Sequence, residues 1–262
     1  MTLPTFKVVY GLGLRPDMIP QFKKEILHLQ DPRQDVWHNH FDAAGPDEVA
    51  IDGRKLVHAN GSGNLVRYPR IQFRFELMGR TPLAAIWGVA QGAGALRQFV
   101  EQQPEPVIRW GGNALQLQVV EAQSENFDLH FRDTGLRLIP YSLSHYLPFN
   151  EERYQEFRKL LFFQDKLALI EHLVGQHLRN FAEAVGWEAL SHRVLTVKTL
   201  DLKAFKTAKY LPKTGNETLS YVSVDLQVGI NAELPDEIAL GQLVSLGYGT
   251  LRRLRKPGPN DG

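Results

Sequence analysis

Two hydrophobic periods follow one another in a fixed order along the first half of this chain, and that order restricts its folds more than any single motif does. The run "TFKVVYGLGL", Thr5 to Leu14, is apolar, valine-bearing and of strand length. Ile19, Phe22, Ile26 and Leu29 then recur at helical spacing, with Asp17 and the prolines in the first turn and Asp31-Pro32 as the stop. Residues 42–66 are rich in glycine and asparagine and read as a hairpin or extended loop. After them Ile71, Phe73 and Phe75 alternate with Gln72, Arg74 and Glu76, which predicts a strand with one buried and one wet face. The turn "ELMGRT" leads to a second strand, "AQGAGALRQFVEQQP" is a short helix ended by Pro104, and "NALQLQVVEAQ" is a further strand.

Strand, helix, strands, helix, strand is the split βαβ, or ferredoxin-like, arrangement, with both helices on one face of an antiparallel sheet. The second half has related ingredients. "TGLRLIPYSL" is strand-like, and helical segments run through "KLALIEHLVGQHLRNFAEAVGW" with Gly186 as C-cap. "HRVLTVKTLDLKAFK" and "LSYVSVDLQVGINAEL" are long alternating strands before the closing "PDEIALGQLVSLGYGTLRRL". The expected fold is α+β, two ferredoxin-like units in tandem, with domains over 1–128 and 129–262.

Composition removes several function classes. The chain has 262 residues and no cysteine, so disulfides, zinc fingers and thiol chemistry are excluded. No run approaches the roughly 20 apolar residues that span a bilayer, and "MTLPTFKVVYG" lacks the layout of a signal peptide. A cytoplasmic location is expected. Net charge is +1, so any basic surface for nucleic acid must be local and offset by acid elsewhere. Arg193, Lys198, Lys203, Lys206, Lys209 and Lys213 form one basic run with Asp201 as its acid, and Arg252, Arg253, Arg255 and Lys256 form another. Acid gathers over 151–171, at Glu151, Glu152, Glu156, Asp165 and Glu171.

The segment "VWHNHF", Val36 to Phe41, admits three readings. His38 and His40 with Asp42 are a competent ligand set for a divalent ion. The same imidazoles, with an ordinary pKa of about 6.5, suit a general acid–base pair. Trp37 and Phe41 are also what the end of a buried strand requires. The contiguous letters His-Asn-His do not establish the nuclease motif of that name, whose residues are dispersed over a ββα-metal fold. His172 and His177, on an amphipathic helix, read as structural.

Four blocks in order carry a resemblance: "WHNHF" at 37–41, "RYPRIQFRF" at 67–75, "IEHLVGQHLRNFAEAVGW" at 170–187, and "INAELPDEIALGQLVSLGYGTLRRL" at 230–254. In this order and spacing the chain resembles the CRISPR-associated endoribonucleases of the RAMP superfamily that cut precursor CRISPR RNA within its repeats. The glycine loop departs from the family in having Gln242 and Leu246 where basic residues are usual.

The resemblance implies cleavage without metal or cofactor. The ribose 2′-hydroxyl attacks the scissile phosphate and leaves a 2′,3′-cyclic phosphate and a 5′-hydroxyl. Such a reaction needs a base, an acid and a cation for the phosphorane. His40 is the implied principal catalytic residue and His38 its assistant; if extended, their rings point the same way. Lys24 is the preferred cation. Implied RNA contacts are Arg67 and Tyr68, the lysines 198, 203, 206 and 209 (Lys198, Lys203, Lys206, Lys209), the turn Gly247, Tyr248 and Gly249 with its backbone N–H groups, and Arg252, Arg253 and Arg255. Unpaired bases would stack on aromatics such as Tyr248. The implied partner is CRISPR repeat RNA or crRNA, with other CRISPR effector subunits and a homodimer left open. Two rivals stay open: a non-catalytic crRNA-binding subunit, and a metal-dependent nuclease on His38, His40 and Asp42.

Overall fold

The structure is a computed structural model, and it describes residues 2–30, 35–37, 48–51, 55–58, 68–129, 134, 137–210 and 219–254. The chain divides into two compact units, Met1–Asp128 and Leu129–Gly262. In the first, β1 (Thr2–Gly13) leads through a 3₁₀ turn at Pro16–Met18 into α1 (Ile19–Leu27), and a second 3₁₀ turn spans Asp35–Trp37. An antiparallel pair follows, β2 (Glu48–Ile51) and β3 (Lys55–His58), then β4 (Ile71–Met78), β5 (Thr81–Val89) and α2 (Gln91–Gln102). The small pair β6 (Val107–Trp110) and β7 (Asn113–Gln116) precedes β8 (Val119–Asp128).

The main sheet has the order β4-β5-β1-β8, antiparallel throughout, with Phe73 opposite Ile86, Ile86 opposite Val8 and Val8 opposite Ala122. This is the ferredoxin-like order. Ile19, Phe22 and Ile26 of α1 are buried, and Phe22 meets Tyr10 and Phe73 edge to face at 6.4 and 6.0 Å. α2 buries Ala93, Leu96 and Phe99. Its first turn passes so near Arg70 that a Cβ on Gly92 would stand 2.1 Å from the Arg70 carbonyl oxygen, which leaves only glycine.

The polar face of β4 is not wet. Gln72, Arg74 and Glu76 are 0%, 3% and 9% exposed. Burial of this row is offset in part by its own contacts. Arg74 Nη2 lies 3.0 Å from Glu76 Oε1, its guanidinium stands over the Trp87 ring at 5.6 Å, and Gln72 Nε2 donates to the Tyr68 hydroxyl at 3.0 Å. Alternation of apolar and polar residues gives the period of a strand, whereas the solvent on each face depends on what pairs with the polar row.

The second unit opens with β9 (Ile139–Tyr146) and continues through α3 (Glu151–Lys159), α4 (Phe163–Ala184) and the short α5 (Glu188–Ser191). β10 (Val197–Tyr210), β11 (Leu219–Ile230), β12 (Glu237–Ala239), a 3₁₀ turn at Val244–Leu246 and β13 (Thr250–Arg253) complete it. Asn150 caps α3 by accepting from the Arg153 N–H at 2.8 Å. α4 buries Ile170, Leu173, Val174, Leu178 and Phe181. It ends where Gly186 adopts a φ of 73°, with Trp187 N–H donating to Ala182 C=O at 2.7 Å and Gly186 N–H to Glu183 C=O at 3.2 Å. The sheet order is β10-β11-β9-β13-β12, so β10 is an edge strand. This is again a ferredoxin-like order, but residues 231–249 stand where the second helix would be, carrying β12 and the glycine-rich loop.

Candidate nucleic-acid interface

In the first unit, Trp37 fixes the approach to the His-Asn-His segment. It is 1% exposed and meets Phe99 of α2 edge to face at 5.5 Å. Asp35–Trp37 is a 3₁₀ turn, so the chain is not an extended strand where it reaches Trp37. His38, His40, Asp42 and Arg67 lie outside the described residues. Lys24 sits exposed in the last turn of α1, where a cation complements the helix carbonyl end. Its neighbour Lys23 stands over the Phe73 ring at 5.8 Å. Tyr68 is half-buried three residues before β4 begins at Ile71, and its hydroxyl accepts from Gln72. Among the described residues no group of three or more His, Cys, Asp or Glu is arranged to hold a metal ion.

The basic residues of the second unit are not segregated from acid, as their runs in the sequence suggest. Five of them stand beside a carboxylate. Lys198 Nζ lies 3.3 Å from Glu171 of α4, Lys206 Nζ 3.0 Å from Asp225 of β11, and Lys203 pairs with Asp201. Arg252 Nε lies 3.1 Å from Glu237 Oε2, and Arg253 Nη1 donates to Glu233 Oε1 at 2.8 Å. Surface pairs of this kind are worth about 0–1 kcal/mol, so a phosphate can compete for the cations. The Lys209 side chain and Arg255 lie outside the described residues.

The glycine-rich loop is held at both ends by backbone and buried tyrosine. The Tyr141 hydroxyl accepts from Leu234 N–H at 2.9 Å and donates to Ala232 C=O at 3.2 Å, and burial pushes its pKa up to about 12. Leu240 N–H donates to Gly249 C=O at 2.8 Å. A Cβ on Gly249, where φ is 72°, would stand 1.7 Å from the Leu240 carbonyl oxygen. Gly247 N–H donates to Val244 C=O at 3.0 Å and Gly249 N–H to His145 C=O at 3.0 Å. These two amides are therefore engaged inside the protein, and the expectation that they donate to phosphate is revised: the glycines shape the turn. Tyr248 is half-buried, which raises its phenol above the usual range.

Two features of this unit had no sequence signal. One is a hollow of about 450 Å³ lined by Glu171, His172, Arg179, His192 and Arg193 among others; His172, read above as structural, is exposed there. The other is the contact of Tyr146 with His177, the phenol oxygen 2.7 Å from Nδ1. Burial lowers the His177 pKa to about 4. Asp225 is pushed up by burial, but the His145 N–H and the Lys206 ammonium outweigh this and hold its carboxyl below the usual range.

Residues 134–254 match the family model of the Cas6b C-terminal domain. No curated protein matches the chain by sequence. The fold is similar to a crystal structure of Cas6b at 16% identity, covering 97% of this chain and 100% of that one with a TM-score of 0.68. A second Cas6b, described as a CRISPR RNA processing endoribonuclease, is similar at 16% identity and the same coverage with a TM-score of 0.57. Csf5, described as the type IV Cas6 crRNA endonuclease, follows at 13% identity, 97% and 100% coverage and a TM-score of 0.53. A Cas6b C-terminal domain model thus matches nearly all of the second unit, and the fold of the chain is similar to that of Cas6b.

Proposed function

We propose that this chain is an endoribonuclease that cleaves precursor CRISPR RNA within its repeats. The observation that carries the reading is the Cas6b C-terminal domain match over 134–254, set in a fold similar to Cas6b along almost the whole chain. In the proposed reaction the 2′-hydroxyl attacks the neighbouring phosphate and the products end in a 2′,3′-cyclic phosphate and a 5′-hydroxyl. His40 moves the proton as principal catalytic residue with His38 assisting, and Lys24 offsets charge on the phosphorane. Trp37, next in sequence to His38, is held against Phe99. The cations Lys198, Lys206, Arg252 and Arg253 exchange their carboxylates for phosphates of the repeat.

Incubation of labelled repeat RNA with the protein in excess EDTA tests this. Cleavage should persist in the chelator and give cyclic-phosphate ends. His40→Ala should slow single-turnover cleavage by about 10²- to 10⁴-fold while leaving RNA affinity near the parent's. Tight binding with intact RNA at all times would make the chain a binding subunit instead. Loss of cleavage in EDTA, restored by one divalent ion, would move the chemistry to a metal on His38, His40 and Asp42.

A further inference from the structure

The base of the glycine loop is tied down by one residue in an uncommon conformation. His145 has a φ of 52°, in the left-handed region, where β9 bulges against β11: Val224 pairs with Tyr146, but Leu226 pairs with Leu143. Its N–H donates to Asp225 Oδ1 at 2.6 Å, and its carbonyl accepts from Gly249 N–H at 3.0 Å. The backbone of His145 thus joins β11 to the loop. Glycine would make both bonds without strain, so the backbone role does not account for a side chain here. Histidine tolerates this region better than most residues, yet left-handed residues other than glycine still gather where a side chain must be aimed.

The surroundings state what it is aimed at. The His145 side chain is exposed, and among the described residues its ring forms no hydrogen bond. Lys206 lies one carboxylate away, its Nζ 3.0 Å from the other oxygen of Asp225. Opposite the bulge, β13 leaves the loop with Thr250 paired to Ser144, and Arg252 and Arg253 follow on it. With the Gly247 and Gly249 amides engaged inside the protein, exposed side chains at this point are the donors left beside the remaining loop amides for an anion.

We propose that His145 is an RNA-binding residue at the base of the glycine loop, its imidazole N–H donating to a phosphodiester oxygen of the strand that crosses the loop. This rests on the RNA-binding part of the reading above. The test is fluorescence anisotropy with a labelled CRISPR repeat RNA, run beside thermal unfolding, on the parent, His145→Gly and His145→Asn. The glycine variant should unfold at or above the parent's temperature, because strain is removed, and bind about five- to tenfold more weakly. Asparagine, which tolerates the left-handed region and keeps an N–H donor, should retain more affinity than glycine. A glycine variant that binds within about twofold of the parent overturns the proposal. So does one whose unfolding temperature drops together with its affinity, since the side chain would then be holding the fold. If the parent binds no repeat RNA, the reading under Proposed function fails first, and the two failures are told apart.

Discussion

Tyr146 is fully buried, and Gly241 of the glycine loop comes so close that a Cβ there would stand 2.8 Å from the Tyr146 ring. The phenol in turn reaches His177 Nδ1, so the imidazole supports the loop from two layers below. Burial keeps that imidazole uncharged until about pH 4, whereas in the unfolded chain it takes a proton near 6.5. Between those values the unfolded state binds the extra proton. The stabilisation is therefore complete above about pH 6.5 and is lost as pH falls toward 4, by up to about 3 kcal/mol. Urea midpoints at pH 7.5 and 4.5 should differ more for the parent than for His177→Gln, and equal differences would refute the assignment. Sequence placed His177 on an amphipathic helix as a structural residue, which is what periodicity can see. His145 left no trace there, because a bulge is a property of register between strands rather than of either strand alone.

At the scale of elements, the ferredoxin-like order was legible because helical and strand periods alternate with glycine and proline punctuation between them. The buried polar row of β4 was not legible. Gln72, Arg74 and Glu76 alternate as a solvated face does, and their contacts with each other, Tyr68 and Trp87 offset their burial in part. The glycine-rich loop was visible as composition, but its working geometry was inverted. Its glycines admit backbone to backbone contact, Gly249 against Leu240 above all, and two of their amides serve the protein instead of a ligand. Gly249→Ala has both a forbidden contact and a positive φ, so it should destabilise the second unit by about 2 kcal/mol or more. Thermal unfolding would show this as a fall in midpoint accompanied by weaker RNA binding; an unchanged midpoint would mean the loop tolerates a side chain after all.

Across the whole molecule a net charge of +1 conceals cations of which several stand beside carboxylates. The candidate RNA contacts read from the basic runs were identified as residue types, while their carboxylate partners came from distant positions: Glu171, Asp225, Glu233 and Glu237. Removing a partner should therefore help a competing phosphate. Glu237→Gln should tighten repeat-RNA binding about 1.4- to fivefold at low salt, the range a surface pair of about 0.2–1 kcal/mol allows, and the gain should fade as salt rises. Affinity that stays level or weakens in an anisotropy titration would remove Arg252 from the RNA path. The long edge strand β10 gives its lysines a second duty. Among the described residues no strand pairs with the outer side of β10, an edge on which another copy could add and seed fibrous assemblies, and ammonium groups along such an edge are a common way of forbidding that growth. Stripping Lys198, Lys203 and Lys206 together would remove the guard as well as the grip, so the precipitate, not the titration, would be the first thing such a variant reveals.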